Sequence, residues 1–285
     1  MTTVGVIGAG AMGMGVVRSL RRAGFATLVR DVRAEAERDA ARLSAAIAAD
    51  AAAVAAACDI AVVLVVDAAQ VDDVLFGPAG HAAGARDGAI VVLSSTLAPD
   101  FVAALAPRLA ARGVALVDAP VSGGPARAHA GTMTIMAAGP PAALARCEPV
   151  FAAMAGKVFR LGPRAGDAAK FKIVNNLLAA VNLAAAGEAL ALAARAGLDA
   201  ATVADVIGAS SGASWILSDR APRALAGDFS PRAAAKILAK DVGIAADFAA
   251  RLGADATFAR AAQAAFAAVV EAGDGDADDA VLLRS

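Results

Sequence analysis

Tyrosine is absent from this chain of 285 residues, tryptophan occurs once, and histidine and cysteine occur twice each. Without tyrosine there is no phenolic acid for catalysis, which excludes the Tyr-Lys chemistry of short-chain dehydrogenases. Cys58 and Cys147 stand alone, with no CxxC and no cysteine–histidine cluster, so no metal site and no disulfide framework is expected and a reducing, cytoplasmic setting fits. Net charge is only -1, with acids and bases interspersed, and the basic footprint of a nucleic-acid binder is missing. The start Met1-Thr2-Thr3 has no basic n-region, so no signal peptide is expected. The longest apolar stretch, Leu177 to Ala194, is interrupted by Asn182 and Glu188 and rich in alanine. It reads as a helix buried in an α-helical domain rather than a membrane span.

What is present is alternation. Val4–Ile7 and Ala26–Arg30 read as strands around a helix at Met12–Ala23, and Ile60–Val66 and Ala89–Leu93 are continuous apolar runs. Runs of that kind mark strands of a parallel sheet covered on both faces. Val114–Val117 and Met133–Ala137 extend the series. Alternating strand and helix predicts a doubly wound α/β domain over 1–163. Past Gly162-Pro163 the pattern changes to helices only, from Gly166 to Ala196 and then at about 199–209, 213–225, 231–252 and 255–273. The span 164–285 is therefore expected to be all-α. The acidic tail Asp274–Asp279 is expected to be mobile.

The first strand runs directly into Gly8-Ala9-Gly10-Ala11-Met12-Gly13, which opens the first helix. In a strand–turn–helix setting G-x-G-x-x-G is the dinucleotide-binding pattern of the Rossmann type. Its glycines permit a tight turn, close approach of backbone to a pyrophosphate, and close packing of helix on sheet, with the helix N-terminus toward the phosphates. Asp31 ends the second strand, where an acid reads the ribose hydroxyls; this favours NAD, because a carboxylate repels a 2′-phosphate. Arg30 and Arg33 flank it as candidates for holding that phosphate, so NADP stays possible.

Hydride exchange with an alcohol needs a group that moves the hydroxyl proton. His81 lies in the loop GPAGHAAGA and is expected to be exposed; His129 lies in a loop beside candidate substrate residues. Of the 26 basic residues only Lys157, Lys170, Lys172, Lys236 and Lys240 are lysines. Arginine carries the general charge, so each lysine is a candidate for a special role. Lysine serves as acid or base when burial or a neighbouring cation lowers its pKa, and arginine does not. Lys172 has Asn176 one turn away on the same helix face, an amide suited to orienting an ammonium or a substrate hydroxyl.

From Val4 to about Asp279 the chain resembles the β-hydroxyacid dehydrogenase family. The resemblance is carried by Val6-Ile7-Gly8-Ala9-Gly10-Ala11-Met12-Gly13, Asp118-Ala119-Pro120-Val121-Ser122-Gly123-Gly124 with Gly131-Thr132-Met133, Lys172-Ile173-Val174-Asn175-Asn176, and Lys240-Asp241-Val242, in that order. It implies that Lys172 is the general acid/base and that Asn176 places the substrate. It also implies that Ser122, Gly123 and Gly124 bind the substrate carboxylate through hydroxyl and N–H donors. On the cofactor side it implies Val66, Thr96 at the nicotinamide end, and Lys240. Where the family commonly has Gly-Gln this chain has Ala168-Ala169, followed by an unusual Lys170. The run Val66-Asp67-Ala68-Ala69-Gln70-Val71, with Gly212-Ala213-Ser214-Trp215 later, looks most like the L-threonate dehydrogenase branch. Trp215 is either a lining residue of the substrate pocket or a helix-packing anchor.

Together these features predict an NAD(P)-dependent dehydrogenase of small hydroxy acids. L-threonate-like four-carbon acids come first as substrates, then 3-hydroxyisobutyrate and tartronate semialdehyde. The all-α half is expected to pair copies into a homodimer or homotetramer. A related imine reductase or a non-catalytic scaffold is disfavoured, because both usually lack the lysine found at position 172.

Overall fold

The computed structural model describes residues 3–284. The chain divides into two compact units, one ending at Lys172 and the other beginning at Ile173.

The first unit alternates strands and helices. In chain order these are β1 (Thr3–Ile7), α1 (Ala11–Arg22), β2 (Ala26–Arg30), α2 (Ala34–Arg42), β3 (Ala46–Ile47), α3 (Ala51–Ala57), β4 (Ile60–Val63), α4 (Ala68–Phe76), α5 (His81–Gly84) and β5 (Ile90–Leu93). They continue through α6 (Pro99–Ala110), β6 (Ala115–Asp118), β7 (Val121–Ser122), α7 (Gly124–Ala130), β8 (Met133–Ala138), α8 (Pro141–Met154) and β9 (Ala155–Gly162). The sheet order is β3-β2-β1-β4-β5-β6-β8-β7, with β9 also on β8. Strands β1 to β6 are parallel, and β8 joins β6 and β7 antiparallel.

The continuous apolar runs are explained by two faces that are both covered. Ile60, Val62, Ile90 and Val92 pack into one cluster with Val16, Val17 and Leu20 of α1. Their alternates Ala61, Val63, Val91 and Leu93 pack into another with Val54 of α3 and Leu105 of α6. Successive strand side chains point to opposite faces, so a strand buried twice has no polar alternate. The doubly wound expectation is met, with one adjustment: the strand expected over Ile60–Val66 ends at Val63, and Val66 is exposed in the turn that follows.

The helix α9 (Asp167–Arg195) begins in the first unit and runs into the second, which continues with α10 (Ala200–Gly208), α11 (Trp215–Leu225), α12 (Ala235–Arg251), α13 (Thr257–Val269) and a closing 3₁₀ turn, Asp279–Leu283. Its core joins Leu183 and Leu190 of α9 to Leu217, Val242, Phe266 and Leu283. By length and composition α9 is also apolar enough to cross a membrane.

Three expectations are corrected. The acidic tail is not loose at its end: Asp278 and Asp279 are buried, and Arg220 donates from Nε and Nη2 to the two oxygens of Asp279 at 2.6 and 2.9 Å. Arg223 pairs with Asp278 at 2.9 Å, and Asp278 also accepts the N–H groups of Arg232 and Ala233. His81 is not exposed; it starts α5, which packs on α3, and burial pushes its pKa down to about 4. His129, expected in a loop, lies on α7.

Candidate active site

At the end of β1 the chain reverses through Gly8, whose φ is +93°, and Gly13 packs against that turn. A Cβ on Gly13 would sit 1.9 Å from the Gly8 carbonyl oxygen, so no side chain fits there. A Cβ on Gly10 would meet nothing nearer than Arg33 at 3.8 Å, which leaves that side of the turn open. Helix α1 starts with no side-chain cap and no acid in its first turn. Its free N–H groups and positive dipole end therefore suit a phosphate anion. This cradle fits a dinucleotide.

Asp31, directly after β2, is 7% exposed. It accepts the Ala9 N–H at 2.6 Å, the Arg33 N–H at 2.9 Å and Arg33 Nε at 3.1 Å. Burial alone would raise its pKa; the Arg33 side chain and these N–H donors outweigh that and hold it below the usual carboxylate value. Of the two arginines that flank it, Arg30 is engaged by Glu37 and Arg33 by Asp31 itself.

Strands β4 and β5 end side by side. Ser95 Oγ donates to the Val65 carbonyl at 2.7 Å, and Gln70 accepts the Val66 N–H at 2.9 Å. These bonds pin the exposed Val66 on one strand end and the segment carrying Thr96 on the next. Neither Ser95 nor Gln70 stood out in the sequence, because their role is to hold neighbouring backbone.

The loop after β6 is clamped to β8: Pro120 accepts the Met136 N–H, and Ser122 pairs with Thr134. Gly123 has φ +125° and Gly124 has φ +70°, a left-handed pair that turns the chain into α7. A Cβ on Gly123 would lie 2.5 Å from Cδ of Arg127, one turn further on. The neighbouring Asp118, 1% exposed, accepts the N–H groups of Gly166 and Ala169 at 2.8 and 2.9 Å. Burial pushes its pKa up to about 6, against the pull of those N–H donors. Lys172 follows in the second turn of α9 and is 8% exposed. Ala168 and Ala169 are buried in the first turn of that helix.

In the helical unit, Asn176 and Lys240 converge on one acid. Asn176 Nδ2 donates to Asp241 Oδ2 at 2.6 Å, and Lys240 Nζ lies 2.7 Å from Asp241 Oδ1. Asp241, 4% exposed, was visible in the sequence only as a motif neighbour of Lys240. Trp215 is the first residue of α11, after the Ser214 cap, and is half exposed.

Residues 3–162 match the NAD binding domain of 6-phosphogluconate dehydrogenase, and residues 166–285 match the domain described as NAD-binding of NADP-dependent 3-hydroxyisobutyrate dehydrogenase. An L-threonate dehydrogenase of Cupriavidus necator is 44% identical over 281 residues, which are 99% of this chain and 95% of that protein. The chain belongs to the β-hydroxyacid dehydrogenase family. As a β-hydroxyacid dehydrogenase it is an NAD(P)-dependent enzyme that transfers hydride at a small hydroxy acid. The crystal structure of a 3-hydroxyisobutyrate dehydrogenase from Salmonella typhimurium superposes on this dehydrogenase with a TM-score of 0.93 at 39% identity, covering 100% of this chain and 99% of that one. Psf3 in complex with NADP+ and 2-OPP gives a TM-score of 0.91 at 29% identity, covering 98% of each chain.

Proposed function

We propose that this enzyme oxidises a four-carbon sugar acid of the L-threonate type, with NAD as preferred acceptor and Lys172 as the proton-transfer group. The substrate reading is carried by the 44% identity to an L-threonate dehydrogenase along 99% of the chain. The NAD preference is carried by Asp31, a charged carboxylate locked to the glycine turn by Ala9 and bridged by Arg33. A 2′-phosphate brought to that carboxylate would be repelled.

The dinucleotide, when bound, supplies the carbon that takes or gives the hydride. Gly8, Ala9, Gly10, Ala11, Met12 and Gly13 hold its pyrophosphate, Asp31 its ribose hydroxyls, and Val66, Thr96 and Lys240 the remainder. Ser122 with the N–H groups of Gly123 and Gly124 accepts the substrate carboxylate, as a concave set of backbone donors does for an anion. Asn176, oriented by Asp241, places the substrate hydroxyl, and Trp215 lines the substrate side. In oxidation Lys172 takes the hydroxyl proton; in reduction it returns it.

Cytoplasmic placement and self-association through the helical unit belong to the same proposal. Val174, Leu178 and Leu192 of α9 leave large apolar side chains exposed on one helix, as a surface that pairs with another copy does.

The test is a panel of hydroxy acids with NAD and NADP, run on wild type and Lys172→Ala. L-threonate with NAD is expected to give the highest kcat/KM, and the variant to lose a factor of about 10²–10⁴ in kcat while still binding NADH. Faster turnover of 3-hydroxyisobutyrate or tartronate semialdehyde would overturn the substrate, and Lys172→Ala turnover within about tenfold of wild type would overturn the role of Lys172.

A further inference from the structure

The Asp118 carboxylate is not among the groups assigned to substrate and cofactor, yet it joins two parts of the proposed site. Its backbone is fixed on both sides: Asp118 pairs with Leu93 of β5 and with Ala138 of β8, and the following Ala119 N–H donates to Leu93 at 2.8 Å. Immediately downstream runs the loop to Ser122, itself clamped to β8. The side chain reaches 48 and 51 residues ahead to the N–H groups of Gly166 and Ala169, at the start of α9.

A helix start is ordinarily capped by a side chain next to it in sequence. The local acid at the start of α9, Asp167, points elsewhere, to Lys170 at 2.9 Å and Arg164 at 3.7 Å. A local cap would stabilise the helix as well, but would not say where the helix stands. A cap mounted on the sheet does. Lys172 lies three residues beyond Ala169, about 4.5 Å further along the axis at 1.5 Å per residue. The arrangement keeps an acid where burial opposes its charge, a cost that a helix needing only a cap avoids with a local serine or asparagine.

We propose that Asp118 is a positioning residue for the reaction: its carboxylate ties the first turn of α9 to the end of β6 and so sets Lys172 against the substrate loop Ser122–Gly124. This rests on Lys172 being the proton-transfer group. Both N–H bonds go to one oxygen, Oδ2. An asparagine oxygen in the same place accepts both; an alanine accepts neither; a glutamate keeps charge and acceptor but moves the grip by a methylene.

The experiment uses the full chain with Asp118→Asn, Asp118→Ala, Asp118→Glu and Lys172→Ala. Measured are kcat and KM for L-threonate, NADH affinity, melting temperature, and amide exchange at Gly166 and Ala169. A misplacement of about 1 Å costs about a hundredfold in rate, so Asp118→Ala and Asp118→Glu are each expected to lower kcat by about thirtyfold or more. NADH affinity should stay within about threefold, and Asp118→Asn should recover kcat to within about fivefold of wild type. Exchange at the two amides should accelerate in the alanine variant and stay slow in the asparagine and glutamate variants. Should Asp118→Ala not fold, Asp118→Glu carries the test, since it retains the bonds and loses only the position. The proposal is overturned if Asp118→Glu turns over within about threefold of wild type, or if kcat and NADH affinity fall together in every variant, the mark of a general structural role. Activity retained by Lys172→Ala would instead remove the reading of Lys172 itself, and this inference with it. Loss in Lys172→Ala beside normal turnover in Asp118→Glu would remove this inference alone.

Discussion

Asp118 and His81 are both 1% exposed, both in the first unit, and burial moves their pKa values in opposite directions. For His81 the folded value is about 4 against 6.5 for the free side chain. The unfolded chain takes up the proton first as pH falls, so its contribution to stability is complete above pH 6.5 and is lost toward pH 4. For Asp118 the folded value is about 6 against 3.8. There the folded state holds the proton longer, so its contribution is complete below pH 3.8 and is lost as pH rises through 6. Each shift exceeds two pKa units, and each unit corresponds to about 1.4 kcal/mol, so either group alone changes stability by about 3 kcal/mol across its window. Between pH 4 and 6 the two slopes oppose and nearly cancel in the native protein. Single substitutions should uncover them. His81→Leu leaves Asp118, and stability then falls by about 1.4 kcal/mol per pH unit as pH rises from 4.5 to 5.5. Asp118→Asn leaves His81, and stability over the same interval rises by the same amount. Asp167, which raises the Asp118 value further, is unchanged in both. Urea midpoints read by far-ultraviolet circular dichroism at the two pH values measure this, because the midpoint follows stability when the slope m is constant. Parallel pH dependence in the two variants would refute the reasoning.

Gly123→Val puts a β-branched side chain at φ +125° and against Arg127 Cδ at 2.5 Å, so KM for the acid should rise by about tenfold or more while NADH affinity holds, and steady-state kinetics with fluorescence titration checks both. Asp31→Ser removes the charge proposed to face the ribose and frees Arg33, so the ratio of kcat/KM for NAD to that for NADP should fall by about tenfold, or about 1.4 kcal/mol; an unchanged ratio would show that Asp31 does not set the preference. Arg220→Ala leaves Asp279 buried without its two-pronged partner, a loss of about 3–5 kcal/mol that should lower the melting temperature by about 6–20 °C. A change of less than about 2 °C by calorimetry would contradict it.

Long-period patterns were legible in the sequence, and pairings between distant residues were not. The runs at Ile60 and Ile90 announced strands covered on both faces because every residue in them is apolar, and the glycine turn was legible because strand, turn and helix are consecutive. The strand β9, Ala155–Gly162, gave no such sign: its exposed lysine, phenylalanine and arginine break the alternation that would mark it. The tail was misread because its composition is that of a solvated acidic run, while the arginines that bury Asp278 and Asp279 lie 55 and 59 residues earlier. His81 sat among glycines and alanines, which read as a loop but allow α5 to press close on α3. At the site, the motifs carried Lys172, Asn176 and Lys240. The bonds of Asp118 to the first turn of α9 and of Asp241 to Asn176 span 48 to 65 residues, and no local spacing reveals them.

Trp215 also gives the protein an optical property. It is the single tryptophan in a chain with no tyrosine, and 51% of it is exposed at the first turn of α11. All indole emission therefore comes from one point, and from a ring already wet in the folded state. A ligand that covers the ring shifts the emission to the blue, and NADH, which absorbs where indole emits, quenches it by energy transfer if bound nearby. The enzyme thus carries a built-in reporter of occupancy, readable without a label and without turnover.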